Sequence, residues 1–206
     1  MRDKSLSEFL QELASPAPTP GGGAVAALVG AMAAALVGMV AELAARRGGE
    51  VGEFIRKAEE LRERLLALAQ RDVEAYDRVD AALGLPKDTE REREERRKAL
   101  QAALKGAAGV PLETAELARG VLSLAREFLP HCPKSARSDL SSAGVLAWAA
   151  VKSALYNVDA NCLAIKDLDF LRDMAAKRAA LAESAWVEAE AIKRALEPAL
   201  QAWLKR

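Results

Sequence analysis

Only two cysteines, Cys132 and Cys162, and one histidine, His131, occur in 206 residues. The cysteines form no CxxC pair or other metal-ligand spacing, and a single histidine further weakens any zinc site. Aromatic residues are only 4%, and β-branched residues are sparse beside abundant alanine, leucine, glutamate and arginine. That balance fits helix propensities and excludes a strand-rich fold. Net charge is also missing: thirty basic residues meet thirty acidic ones. A neutral chain offers no electrostatic footprint for nucleic acid or an anionic membrane surface. No signal peptide opens the sequence, so a reduced, cytoplasmic setting is expected.

Long uncharged runs are absent with one exception. Residues 24–41 carry no charge and follow directly on "SPAPTPGGG". The run reaches the lower limit of a membrane span. About half of it is alanine and glycine, however, and no lysine or arginine cluster precedes it. Small residues of this kind let neighbouring helices approach, so the run reads as a core helix of a soluble protein. A helix apolar on every side must be wrapped on every side. One chain of this size leaves part of that wrapping to a subunit interface.

The remaining pattern is helical throughout. Ser5-x-x-Glu8 matches a capping box and opens a short helix to about Ser15. Pro16, Pro18 and Pro20 then hold the chain extended into Gly21, Gly22 and Gly23. The core helix ends near "RRGG", and residues 51–83 repeat apolar positions every three or four. "GLPKDTE" breaks that helix, with Thr89 as the cap of a charged one. Pro111 either begins the next helix or kinks a continuous one reaching about Phe128. "PHCPKSARSD" is an irregular loop, followed by long helices at about 140–165 and 168–196, with Pro198 bending or ending the last. The expectation is one all-α domain over residues 1–206, of six or seven helices, dimeric through its long helices.

On this alanine-leucine framework the polar exceptions carry the information. Glycines before a helix start let a ligand approach free amides that favour a carboxylate or phosphate; close helix packing is the equal alternative. Asp72 and Tyr76 lie one helical turn apart and share a face, which a solvated aspartate beside a half-buried tyrosine explains as well. Arg137, Ser138 and Asp139 gather a cation, a hydroxyl and a carboxylate at a helix start; Ser138 or Asp139 is either the cap or part of a proton-transferring, anion-gripping site. Asn157 and Asn161, four apart in "LYNVDANCLAI", must bond a neighbouring helix or a ligand. Asp139 and Asn157 point the same way but lie about 27 Å apart along one helix, too far to share a small pocket unless a second copy supplies one of them. His131 and Cys132 are loop residues without a positioned third group.

These exceptions also carry a resemblance. "PTPGGGAVAA", "RDVEAYDRV", "LPKDTEREREERRKALQAALKGAAGVPLETAELA" and "SARSDLSSAGVLAWAAVKSALYNVDANC", in this order, resemble the cyclodeaminase/cyclohydrolase family. That family includes the carboxy-terminal domain of formiminotransferase-cyclodeaminase and stand-alone bacterial proteins. The resemblance implies an all-helical, dimeric enzyme of folate one-carbon metabolism. Its reactions would be ammonia-releasing closure of 5-formiminotetrahydrofolate to the 5,10-methenyl form, or cyclohydrolase interconversion of the methenyl and 10-formyl forms. The helical domain takes up the whole sequence, so a stand-alone form without a transferase domain is expected.

Neither reaction needs a metal or redox cofactor, with a tetrahydrofolate derivative as the substrate. On the resemblance, Asp139 is the first choice for acid-base or cation-stabilising work and Asp72 the second. Tyr76 would stack on or bond the pterin, and Asn157 or Asn161 would bond its amide edge. The amides of Gly21, Gly22 and Gly23, with Arg137 or Lys134 and the neighbouring Ser138, would receive the folate carboxylates. The competing reading is a non-catalytic helical dimer that binds folate, another small anion or a protein.

Overall fold

The computed structural model describes residues 4–205. Among them are six α-helices and no strand: α1 (Leu6–Leu13), α2 (Gly22–Ala45), α3 (Gly52–Leu83), α4 (Glu90–Phe128), α5 (Arg137–Cys162) and α6 (Leu168–Leu200). Two starts follow their sequence signals closely. Ser5 and Thr89 each accept from the backbone three residues on, while Glu8 and Glu92 reach back to the cap amide. Such caps contribute about 1 kcal/mol each. Asp167 caps α6 through the Asp169 and Phe170 amides.

Helices α2, α3, α4 and α5 pack as a ring, each against the next, and α6 lies in the groove of α4 and α5. Helix α2 sits between α3 and α5: Leu65 and Ala150 both close on Gly30. Its most apolar stretch would be long enough to cross a membrane, yet 56% of that stretch is buried within this one chain. The rest is open. Met32 is 47% and Met39 41% exposed, one stripe seven residues apart.

Three details differ from the sequence expectation. The chain bends through residues 15–18 rather than running straight into the glycines, and the Thr19–Pro20 peptide bond is cis. Helix α5 begins at Arg137, after short 3₁₀ turns at Leu129–His131 and Lys134–Ala136. Its N-cap is Ala136, without a side-chain bond, so Ser138 and Asp139 lie inside the first turn and neither caps it. Of the two outcomes left open at Pro111, the continuous helix is the one formed, and α6 continues through Pro198 to Leu200.

Pro111 explains another residue. A proline inside a helix has no N–H for the carbonyl four residues back, here that of Ala107. The Asn161 amide donates to that Ala107 oxygen at 2.8 Å. An asparagine on α5 thus replaces the bond α4 lacks, and α4 is buried on both sides of Pro111 and continues through it.

Candidate functional site

Helices α2 and α5 are antiparallel. The start of α2 meets the late part of α5, where a Cβ on Gly22 would lie 3.2 Å from Asn157 Nδ2. The end of α2 meets the start of α5, where Arg47 Nη2 donates to Ser135 Oγ at 3.1 Å. The two groups of polar exceptions therefore occupy opposite ends of the bundle.

At the first end, Gly21 is the N-cap of α2 and has no side chain to bond the exposed amides. Asp72 of α3 fills that place: its carboxylate accepts from the Ala24 N–H. The approach is possible only because residue 23 lacks a side chain. A Cβ there would overlap both carboxylate oxygens and lie 2.5 Å from Asp72 Cγ. Burial pushes the Asp72 carboxyl above the ordinary aspartate range, and the Ala24 hydrogen bond opposes that shift. No cation contributes. The result is a half-buried acid whose proton is held more tightly than usual, the state suited to general acid-base work.

Tyr76, one turn further along α3, is 39% exposed above the same corner. Asn157 turns its amide nitrogen to Ser153 O at 2.9 Å, and Asn161 uses its own on Ala107. An incoming anion at the α2 start would meet the Asp72 carboxylate, since Asp72 already uses the helix terminus that the sequence offered to a ligand.

The second end holds Lys134, Arg137, Ser138 and Asp139 beside Arg46 and Arg47. Among the described residues neither the Arg137 nor the Asp139 side chain makes a hydrogen bond or ion pair, although both charges act on the Cys132 thiol. Burial raises that thiol, which opposes thiolate formation. His131 packs with Phe54 and Phe128, ring centroids 5.5 and 5.8 Å away, as part of the core rim.

One chain thus brings together Gly21, Gly22, Gly23, Asp72, Tyr76 and Asn157, and separately Lys134, Arg137, Ser138 and Asp139. Five cavities of about 240 to 540 Å³ are formed elsewhere, and none is lined by Asp72, Asn157 or Asp139. The largest lies between α5 and α6 against Trp148 and Trp186. Among the described residues no three histidine, cysteine, aspartate or glutamate side chains gather as a metal site.

Architecture and site define an all-helical domain with a half-buried carboxylate at a glycine-opened helix start. The chain belongs to the formiminotransferase-cyclodeaminase family, whose model matches residues 5–180. It is 38% identical over 177 residues to the methenyltetrahydrofolate cyclohydrolase of Methylorubrum extorquens, covering 83% of this chain and 85% of that protein. Against the formimidoyltransferase-cyclodeaminase of Mus musculus, identity is 34% over 173 residues, 81% of this chain but 31% of that protein. The crystal structure of formiminotetrahydrofolate cyclodeaminase from Thermotoga maritima superposes with a TM-score of 0.87 at 31% identity, covering 97% of this chain and 98% of that one. The ordered segments read from the sequence identified the right family.

Proposed function

We propose that this protein is a cytoplasmic homodimeric enzyme acting on the one-carbon bridge of tetrahydrofolate. It closes 5-formiminotetrahydrofolate to the 5,10-methenyl compound with loss of ammonia, or opens the methenyl compound to the 10-formyl form. Support comes from relatives carrying those two names over most of this chain's length. The observation that carries the chemistry is the Asp72 carboxylate, desolvated at the α2 start without a cation beside it.

In closure, N10 bonds to the carbon of the protonated formimino group and sheds its proton. The bond from that carbon to the formimino nitrogen then breaks as that nitrogen takes up a proton and leaves as ammonia. In hydrolysis, water adds to the same cationic carbon and loses one proton; the hydroxyl so formed loses its own as the carbon–N5 bond breaks and N5 takes up a proton, so one proton is released overall. One group that both accepts and donates a proton serves each sequence. Asp72 is that group. As a carboxylate it also faces the cationic methenyl centre favourably. Tyr76 covers the pterin, Asn157 bonds its amide edge, and Arg137 and Lys134 hold the glutamate carboxylates in place of the glycine amides.

Dimerisation rests on the open face of α2 and α5. Met32 and Met39 on α2 are matched on α5 by Val145 and Tyr156, 64% and 61% exposed. Apolar stripes on two adjacent helices need a partner of the same kind.

The test is absorbance of the methenyl compound after mixing purified protein with formiminotetrahydrofolate, or with the methenyl form itself. Gain of the band with ammonia release identifies the cyclodeaminase; faster loss than in buffer identifies the cyclohydrolase. The distance between Asp72 and Asp139 within one chain favours the second reading, a non-catalytic folate-binding dimer. Measurable folate binding with no change in either rate would establish it.

A further inference from the structure

We propose that the cavity between α5 and α6 binds an uncharged planar aromatic compound carrying one hydrogen-bonding group, a ligand of the indole class distinct from folate. The site rests on its own geometry and not on the folate reading.

The cavity has a volume of about 540 Å³, inside the range of about 300 to 1,000 Å³ that suits a small organic ligand. Its α6 side, from Trp186 to Gln201, lies beyond residue 180, where the family match ends. Helices α5 and α6 close on each other at Gly144, where a Cβ would lie 3.1 Å from Ile192 Cγ2. Both residues are buried and both line the cavity, so this wall is tightly packed.

Aromatic residues are few in this chain, yet its three tryptophans gather at this place. Trp148 of α5 and Trp186 of α6 line the cavity and lean on each other, ring centroids 6.1 Å apart and planes at 57°. Trp186 is nevertheless 54% exposed. Trp203 follows two residues after Gln201, which lines the same cavity, and is 68% exposed. Indole faces left open in this way gain most from a flat aromatic occupant, which stacks on them and removes their apolar area from water.

The polar groups set the rest of the ligand's chemistry. Ser141 lines the cavity, and its Oγ is buried without a hydrogen-bond partner. It does not take the carbonyl of Arg137 four residues back, the usual recourse of a serine within a helix. A turn about its Cα–Cβ bond is the move that would present the hydroxyl to an occupant, and one donor or acceptor there would satisfy it. At the rim, Glu190 is shared by Lys193 at 3.7 Å and Arg194 at 3.9 Å, while Glu197 accepts from Gln201 Nε2 at 3.1 Å. Among the described residues no unpaired cation lines the cavity to receive the two carboxylates of a folate. An uncharged ligand is therefore the one selected.

Indole itself is the probe. The three tryptophan N–H signals of nitrogen-15-labelled protein, assigned with Trp148→Phe, Trp186→Phe and Trp203→Phe, are followed by NMR as indole is added. The Trp148 and Trp186 signals are expected to shift and saturate, with a dissociation constant below about 1 mM. Benzothiophene has the same shape without the N–H. It should bind about two- to ten-fold more weakly, the worth of one neutral hydrogen bond. Ser141→Ala removes the unpartnered hydroxyl and should erase that difference. Ala189→Phe fills the cavity and should abolish binding of both compounds, with its helicity checked by circular dichroism.

No saturating shift, shifts confined to Trp203, or binding that survives Ala189→Phe overturns the proposal. So does equal binding of the two compounds by the wild-type protein, or a preference for indole that persists in Ser141→Ala. Displacement of indole by 5-formyltetrahydrofolate also overturns it, because the cavity then belongs to the folate site. A protein that turns over neither folate yet binds indole as described refutes the functional reading alone.

Discussion

The Asp72 carboxylate lies where a side chain on Gly23 would have to be. The helix start and the acid are thus built as one unit, the glycine making room and the acid closing the amides of α2.

Adding single methyl groups at this start should therefore have graded effects. Gly23→Ala must displace Asp72 from the Ala24 amide, and overpacking of this kind costs about 1 to 3 kcal/mol. Gly22→Ala meets only the Asn157 side chain at 3.2 Å, which can yield, and should cost under about 1 kcal/mol. Chemical denaturation and turnover of both variants check this, with loss of activity expected at position 23. Equal effects at the two positions would contradict the arrangement.

Asp72→Asn should separate stability from activity. Asp72 binds its proton more tightly in the folded chain than in the unfolded one. Its ionisation therefore makes the fold less stable as pH rises from the ordinary aspartate value of about 3.9 through the raised native value. Asparagine keeps an oxygen for the Ala24 N–H and carries no charge. The variant should melt at least as high as wild type at pH 7, with the difference shrinking towards pH 4. A variant much less stable at pH 7 would show that the ionised carboxylate serves the fold instead.

Asn161 should prove structural through Pro111. Asn161→Ala leaves the Ala107 carbonyl of α4 without a donor, an expected loss of about 1 to 3 kcal/mol. Pro111→Ala returns a backbone N–H to that carbonyl. Combined with Asn161→Ala, it should recover part of the loss, giving a coupling of about 0.5 kcal/mol or more. Strict additivity in denaturation midpoints would refute the replacement.

Met32→Glu places a charge in the middle of the open α2 stripe. The chain should remain helical by circular dichroism, elute as a monomer and lose folate turnover. An unchanged dimer would locate the interface on another face.

Local signals in the sequence carried most of the fold. Ser5 announced its capping box through Glu8 and Thr89 was legible as a cap, and the uncharged run of α2 announced both its core role and its incomplete wrapping. Where partners are distant, the sequence was silent. Asp72 and Gly23 are 49 residues apart, so the carboxylate that closes the α2 start could only be read as one face of α3. Pro111 left two outcomes open because the donor replacing its missing N–H comes from α5. The start of α5 was placed too late because two 3₁₀ turns, rather than a polar cap, lead into it. For the candidate site, the residue types were legible, but their division between the two ends depended on the antiparallel packing of α2 and α5.

The most direct measurement is the single-turnover consumption of methenyltetrahydrofolate and of its formimino precursor by wild-type and Asp72→Asn protein, with folate binding followed in parallel. The wild-type protein is expected to accelerate one of the two reactions over buffer, and Asp72→Asn to bind folate with little change while falling to near the buffer rate. Wild-type turnover by the Asp72→Asn protein would contradict the assignment of Asp72 as the proton-transferring group.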